Sequence, residues 1–231
     1  MITTVPEDTR YEIKFVAYET SLHRVLSWVK SHWAVFRSPY PDRWVNSIYF
    51  DSHDYYAFNE NLSGASSRLK VRYRWYGPSN HPAPGVLELK CKRNYFGWKY
   101  HYMAALPVYE EGDRWEGIRR RIKAQIPCEG RMWMRHYPFP VFINQYYRKY
   151  FLSRNSRVRL TIDTQQNVWD QRFGTWPNFT RKANLPKTLV MELKFDRNEQ
   201  HYASSIIQGV PIRVSRNSKY IIGIRSMRGR G

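Results

Sequence analysis

The chain has 231 residues, 42% hydrophobic and 16% aromatic, with 38 Lys plus Arg against 19 Asp plus Glu for a formal charge of +19. That apolar content can offset the entropy of ordering the chain, which excludes disorder, and the length suits a single domain, residues 1–231, built as one closed barrel with attached helices. Two cysteines, Cys91 and Cys128, exclude a disulfide scaffold or a four-thiolate metal site, while the charge calls for an anionic partner: nucleic acid, anionic membrane or polyphosphate.

In chain order, MITTVPEDTRYEIKF has no apolar core of the kind a leader carries, and nowhere is there an apolar run long enough to cross a bilayer, so a soluble cytoplasmic protein is expected. Arg10 to Ala17 reads as the first strand. Thr20 or Ser21 then caps a helix running to Trp33, with Leu22, Val25, Leu26 and Val29 along one face. Strands follow at Trp44 to Asp51, Ser66 to Tyr76, Gly85 to Arg93 and Trp98 to Pro107. A basic helix is expected over Glu111 to Ile126, then strands at Phe142 to Ser153, Arg157 to Gln165 and Thr188 to Phe195. Gln200 to Gln208 forms a shorter helix, and a last one starts at Ser215 or Ser218. The fold class is α+β, an antiparallel closed barrel with peripheral helices.

The segment Arg68-Leu-Lys-Val-Arg-Tyr-Arg74 alternates strictly, so as a strand it sends Arg68, Lys70, Arg72 and Arg74 to one side and Leu69, Val71 and Tyr73 to the other. A single such strand could be a solvated outer face. The spacing recurs, however, at Glu12/Lys14, Glu88/Lys90/Lys92, Arg157/Arg159/Asp163 and Glu192/Lys194, each set with apolar neighbours. One sheet with a charged concave face accounts for all five strands, and closure turns that face inward. Dry, it would be ruinous, because an isolated buried charge costs several kcal/mol or more. Glu12, Glu88 and Glu192 can pair with part of the basic set, and a polyanion satisfies the remainder. Carboxylates beside phosphate have two readings: salt bridges to neighbouring Lys or Arg, or ligands for Mg2+ or Mn2+ that bridges to phosphate oxygens.

Seven segments in order resemble the VTC domain, the polyphosphate polymerase branch of the triphosphate tunnel metalloenzymes and their CYTH-like relatives. They are Arg-Tyr-Glu-Ile-Lys-Phe at 10 to 15, Ser-Ile-Tyr-Phe-Asp at 47 to 51, Arg-Leu-Lys-Val-Arg-Tyr-Arg-Trp-Tyr-Gly at 68 to 77 and Leu-Glu-Leu-Lys at 87 to 90. Tyr-Arg-Lys-Tyr-Phe at 147 to 151, Arg-Val-Arg-Leu-Thr-Ile-Asp at 157 to 163 and Met-Glu-Leu-Lys-Phe at 191 to 195 complete the series. The resemblance implies an antiparallel tunnel of about eight strands that binds a triphosphate inside.

It further implies metal-dependent transfer of the terminal phosphoryl of ATP, or of another triphosphate, to a growing inorganic polyphosphate chain, with Mn2+ or Mg2+ as cofactor. Carried over residue by residue, Lys14, Arg72, Arg74, Arg159 and Glu192 form the catalytic set, with Glu192 as the metal-binding carboxylate. Arg68, Lys70, Lys90, Lys99, Arg148 and Lys194 become phosphate ligands, Lys219 in Ser-Lys-Tyr lies near the tunnel mouth, and Glu12 and Glu88 are further metal candidates. The first strand departs from the Glu-x-Glu-x-Lys pattern of the hydrolytic branch by lacking the earlier glutamate, which favours the polymerase. The alternatives are a tunnel-fold inorganic or nucleoside triphosphatase, and a non-catalytic module that binds polyphosphate or RNA. The basic runs Arg119 to Lys123 and Arg225 to Arg230 read as solvated surface. No histidine shows metal-ligand spacing, and Trp75, Trp98, Trp115 and Trp169 read as packing residues.

Overall fold

The computed structural model describes residues 10–94 and 96–228. All eight expected strands form: β1 (Arg10–Tyr18), β2 (Arg43–Asp51), β3 (Ser67–Tyr76), β4 (Gly85–Arg93), β5 (Phe96–Ala104), β6 (Phe139–Leu152), β7 (Val158–Asp170) and β8 (Thr188–Asp196). The helices are α1 (Leu22–Ser31), α2 (Tyr56–Ser63), α3 (Trp115–Gln125), α4 (Cys128–His136), α5 (Gln200–Ile207) and α6 (Lys219–Arg228). The last residues of the basic tail, 229–231, lie outside the described chain.

The strands are hydrogen-bonded in the order β1-β8-β7-β6-β2-β3-β4-β5. The ladders β1–β8, β7–β8, β2–β3, β3–β4 and β4–β5 are antiparallel. The fold is therefore the expected antiparallel α+β sheet, but its order has two ends rather than closing into a ring. At β1 the reason is local: the segment after α5 occupies its outer edge. Val16 N donates to Arg213 O at 3.3 Å, Ser215 N donates to Lys14 O at 2.8 Å, and Phe15 bridges to Val214.

The chain divides into two compact units. The first takes, among the described residues, 10–43, 146–166 and 186–218. Its sheet turns an apolar face, including Phe15, Leu160, Ile162, Met191 and Leu193, onto Val25 and Val29 of α1 and Ala203 and Ile206 of α5. The period-two pattern of the strands and the 3.6-residue pattern of the helices meet in one core. The second unit takes the described residues within 44–145, 167–185 and 219–228. There Val71, Tyr73 and Trp75 of β3 and Leu87 and Leu89 of β4 are buried, and α3 packs beside β5 and α4.

Two helices, α2 and α4, form where none was expected, and β7 runs on past Gln165. Residue 165 adopts a left-handed φ of 53°, a local break of the kind that marks a bulge, after which the strand continues. The first helix stops at Ser31 rather than Trp33, and a short 3-10 turn, Glu19–Ser21, precedes it.

Candidate functional site

In the first unit the alternation works out as a charged face whose rows are fixed by register. Glu12 lies opposite Lys194, which lies opposite Arg159; Lys14 lies opposite Glu192, which lies opposite Thr161. Lys14 Nζ sits 2.5 Å from Glu12 Oε1, 3.5 Å from Glu192 Oε2 and 3.1 Å from the carbonyl of Asn217, so the donors of its ammonium are all directed at protein oxygens. Lys194 Nζ lies 2.5 Å from Glu192 and 3.6 Å from Glu12. Burial alone would lower the Lys14 pKa, but Glu192 and Glu12 outweigh it and raise the value, so this lysine stays charged.

Two carboxylates and two ammoniums thus form a balanced quartet. The donor set suits a hard divalent cation that is held by one or two carboxylates and completes its shell with phosphate oxygens and water. Among the described residues no group of three or more His, Cys, Asp or Glu converges on one point, so Glu12 and Glu192 would be the protein's share. Arg159 is exposed at the end of the Glu12 row. Arg148 is engaged differently from expectation, its Nε 2.6 Å and its Nη2 2.8 Å from the two oxygens of buried Asp163. This bidentate pair outweighs the desolvation that would lower the arginine's pKa and raises it instead.

The second unit carries the larger basic face. Arg72 is opposite Glu88, Lys70 is opposite Lys90, Lys90 is opposite Lys99, and Arg68 is opposite Lys92. Seven cations, Arg68, Lys70, Arg72, Arg74, Lys90, Lys92 and Lys99, share this face of β3, β4 and β5 with one carboxylate, Glu88. Three lysines in adjacent strands stand side by side, an arrangement that destabilises a sheet unless anions offset it.

Glu88 receives Arg72 Nε at 2.7 Å on one oxygen and Arg74 Nη1 at 3.3 Å on the other, and His101 Nε2 approaches to 3.9 Å. Burial would raise its pKa, but Arg72 and Arg74 hold the carboxyl well below the usual carboxylate range. Both of its oxygens are committed to guanidiniums, so as a metal ligand Glu88 fits less well than the Glu12 and Glu192 pair. Arg72 also donates to the Tyr49 hydroxyl at 3.3 Å from Nη1. Arg68 turns to the carbonyls of Ala65 and Gly64 beyond the end of α2, at 2.6 and 3.5 Å. Lys219 opens α6, and its neighbour Tyr220 is buried against Tyr49 and Phe142.

The carboxylate–lysine quartet therefore joins Lys14, Glu12, Glu192 and Lys194, while Arg72, Arg74 and Glu88 join in a second group beside the lysine row. Supporting partners that the motifs did not single out are Tyr49 for Arg72, Asp163 for Arg148, and the Asn217 carbonyl for Lys14. Alternation carried a signal for Asp163, which shares the parity of Arg159; a backbone carbonyl carries none.

Residues 9–228 match the model of the VTC domain. The chain belongs to the VTC domain family. The resemblance read from the seven motifs is borne out across nearly the whole chain. Among solved structures, this VTC domain is similar to a candidate adenylate cyclase from Vibrio parahaemolyticus, at 9% identity and a TM-score of 0.50, over 94% of this chain and 98% of that one. It also matches a protein of Pyrococcus horikoshii OT3 at 13% identity and a TM-score of 0.46, over 95% and 99% of the two chains. A candidate adenylyl cyclase from Hippeastrum, described as having a dominant triphosphatase activity, matches at 14% identity and a TM-score of 0.45, over 95% and 96%. The likeness to the Vibrio protein shows a shared fold. No match to a curated protein was found. Among the described residues no helix is long and apolar enough to cross a membrane.

Proposed function

We propose that this VTC domain is a metal-dependent phosphotransferase that moves the terminal phosphoryl group of ATP onto a growing inorganic polyphosphate chain. Family membership supports action on a triphosphate, and one feature of β1 favours an anionic acceptor over water. Two residues before Glu12, where a hydrolytic tunnel enzyme carries a second glutamate, stands Arg10, with its Nε 2.9 Å from Asp196. The charged face of β1 thus offers one carboxylate, not two, for activating a water.

An oxygen of the acceptor phosphate attacks the terminal phosphorus of ATP, the bond from that phosphorus to the bridging oxygen breaks, and ADP leaves with the electron pair. The acceptor is already anionic, so no strong general base is needed, and catalysis rests on alignment and charge neutralisation. Arg72, Arg74 and Lys90 of the second unit supply neutralising charge, as does Arg159 of the first. Lys14 and Lys194 exchange carboxylate for phosphate oxygens as substrate arrives, which leaves Glu12 and Glu192 available as ligands for Mn2+ or Mg2+. A divalent ion held there supplies Lewis-acid stabilisation of the phosphoryl oxygens.

Incubation with ATP and Mn2+, followed by gel analysis, tests this reading. Long polyphosphate is the expected product; free phosphate alone would assign the chain to hydrolysis, and no turnover with retained polyphosphate binding would make it a binding module.

A further inference from the structure

The loop from β7 to β8, residues 171–187, contains no helix or strand, and irregular loops this long in compact domains usually serve a function. This one is tightly built. Asn178 Nδ2 donates to Asp170 O at 3.1 Å and Arg181 O at 3.0 Å, while its Oδ1 accepts from Arg181 N at 2.9 Å. Gln171 Nε2 donates to Asn178 O at 2.6 Å, and Gln171 Oε1 accepts from Asn178 N at 2.7 Å. Lys182 bridges back to Trp169 at the end of β7.

On this braced loop Phe173 is 89% exposed, the most exposed large hydrophobic side chain among the described residues. The Arg172 guanidinium lies 4.9 Å from its ring centroid and is itself pinned, donating to both Asp170 oxygens and, at 3.2 Å, to Met227 O. A little further on, Trp176 is 55% exposed with Arg114 4.7 Å from its ring. Two solvent-facing aromatic rings on this loop thus each have an arginine against the ring. Beside Phe173 is a cavity of about 380 Å³ whose wall includes Asn178, Arg181, Lys182 and Ser226. Its one carboxylate, Asp170, is already neutralised by Arg172.

We infer that this cavity is a nucleotide-binding site: a base stacks on Phe173 and the attached phosphate is held by Arg181 and Lys182. An aromatic face accepts any base, the guanidinium behind it adds cation–π stabilisation, and the adjacent cations match the phosphate. The volume falls in the range of small-ligand sites. The inference is independent of the proposed phosphoryl transfer, since it concerns a base and one phosphate rather than a triphosphate. A free nucleotide and one unit of a single strand of RNA share this chemistry, and the two sources are separable.

The test uses the full chain carrying Arg72→Ala, so that the proposed triphosphate site contributes little, with AMP and an eight-nucleotide RNA as probes and calorimetric titration as the readout. Phe173→Ala and the double substitution Arg181→Gln/Lys182→Gln are each expected to weaken binding about tenfold or more, whereas Phe173→Tyr retains it. Tripolyphosphate, which has no base, should bind the chain with native Arg72 equally well with or without Phe173. AMP binding as tightly as the RNA assigns a free nucleotide; much tighter RNA binding assigns a strand. Unchanged affinity for both probes after Phe173→Ala overturns the site, and because that side chain is almost wholly in solvent, loss of folding would not explain a change.

Discussion

The phenol of Tyr220, on α6, donates its hydrogen bond to the carboxylate of Asp51, at the end of β2 and 169 residues earlier. Asp51 is fully buried, and it also accepts from the backbone N–H groups of Ser52, Ala57 and Phe58 at 2.8, 2.9 and 3.0 Å. The last two are donors in the first turn of α2, whose own N-cap residue, Tyr55, supplies no side-chain cap. One carboxylate therefore starts one helix and anchors another, and the Tyr220 ring stacks on Tyr49, which in turn accepts from Arg72. Tyr220→Phe keeps the ring and removes the bond. It should cost roughly 1.5–3 kcal/mol in urea unfolding, the worth of a hydrogen bond to a charged group.

The Glu88 pair sets an acid limit on stability. Its pKa is lower in the folded chain than the ordinary 4.5, so the stabilisation is complete above that value and is lost as pH falls below it towards the folded pKa. The wild-type urea midpoint should accordingly fall more steeply between about pH 5 and pH 3 than that of Glu88→Gln. At neutral pH the same substitution should cost ~3–5 kcal/mol, because Arg72 and Arg74 lose their buried counter-charge.

The lysine row predicts opposite effects on stability and on binding. Lys90 lies between Lys70 and Lys99, so Lys90→Gln relieves two like-charge contacts. Without ligand the variant should be as stable as the wild type or more so, by roughly 0.2–1 kcal/mol per contact. Tripolyphosphate should raise its melting temperature less than it raises that of the wild type. Thermal melts with and without tripolyphosphate measure both.

Arg148 and Asp163 behave as a structural pair. Asp163→Ala leaves a buried guanidinium without its partner and should destabilise the fold by ~3–5 kcal/mol. By contrast, Glu192→Gln leaves Lys14 and Lys194 with Glu12 as a remaining carboxylate and should destabilise the fold less than Asp163→Ala does, while reducing Mn2+-dependent turnover about 10- to 100-fold or more. A manganese titration of turnover checks that separation; full metal-dependent activity in Glu192→Gln would remove Glu192 from the metal site.

Much of this was legible in the sequence because strand alternation is strict and local. The segment from Arg68 to Arg74 announces its own two faces, and five of the eight strands carry such alternation. The first unit's quartet was half visible: Glu12, Lys14, Glu192 and Lys194 share a parity, but only the register of β1 on β8 brings them together. Helix α2 was not legible because its cap is Asp51, outside the helix, and Tyr55 enters it in a left-handed conformation. Helix α4 is short and has Gly130 near its start, against Tyr102 and Ile126. The partner of Arg148 was not legible because its motif carries no sign that the carboxylate fifteen residues on would fold back onto it. Open ends in the strand order were equally invisible, since the segment that covers β1 is the irregular stretch before α6.

That last arrangement bears on how the protein is made. Strand β1 leaves the ribosome ahead of every other strand of its sheet, and its two neighbours, β8 and the Arg213–Ser215 segment, follow only after all the rest. Through most of synthesis β1 has neither partner, and its alternate apolar residues wait for a strand that does not yet exist. Contacts this distant in sequence slow folding and leave an unpaired edge open to other chains. Truncation before residue 213 should strip one border of the first strand and yield a chain that aggregates during expression.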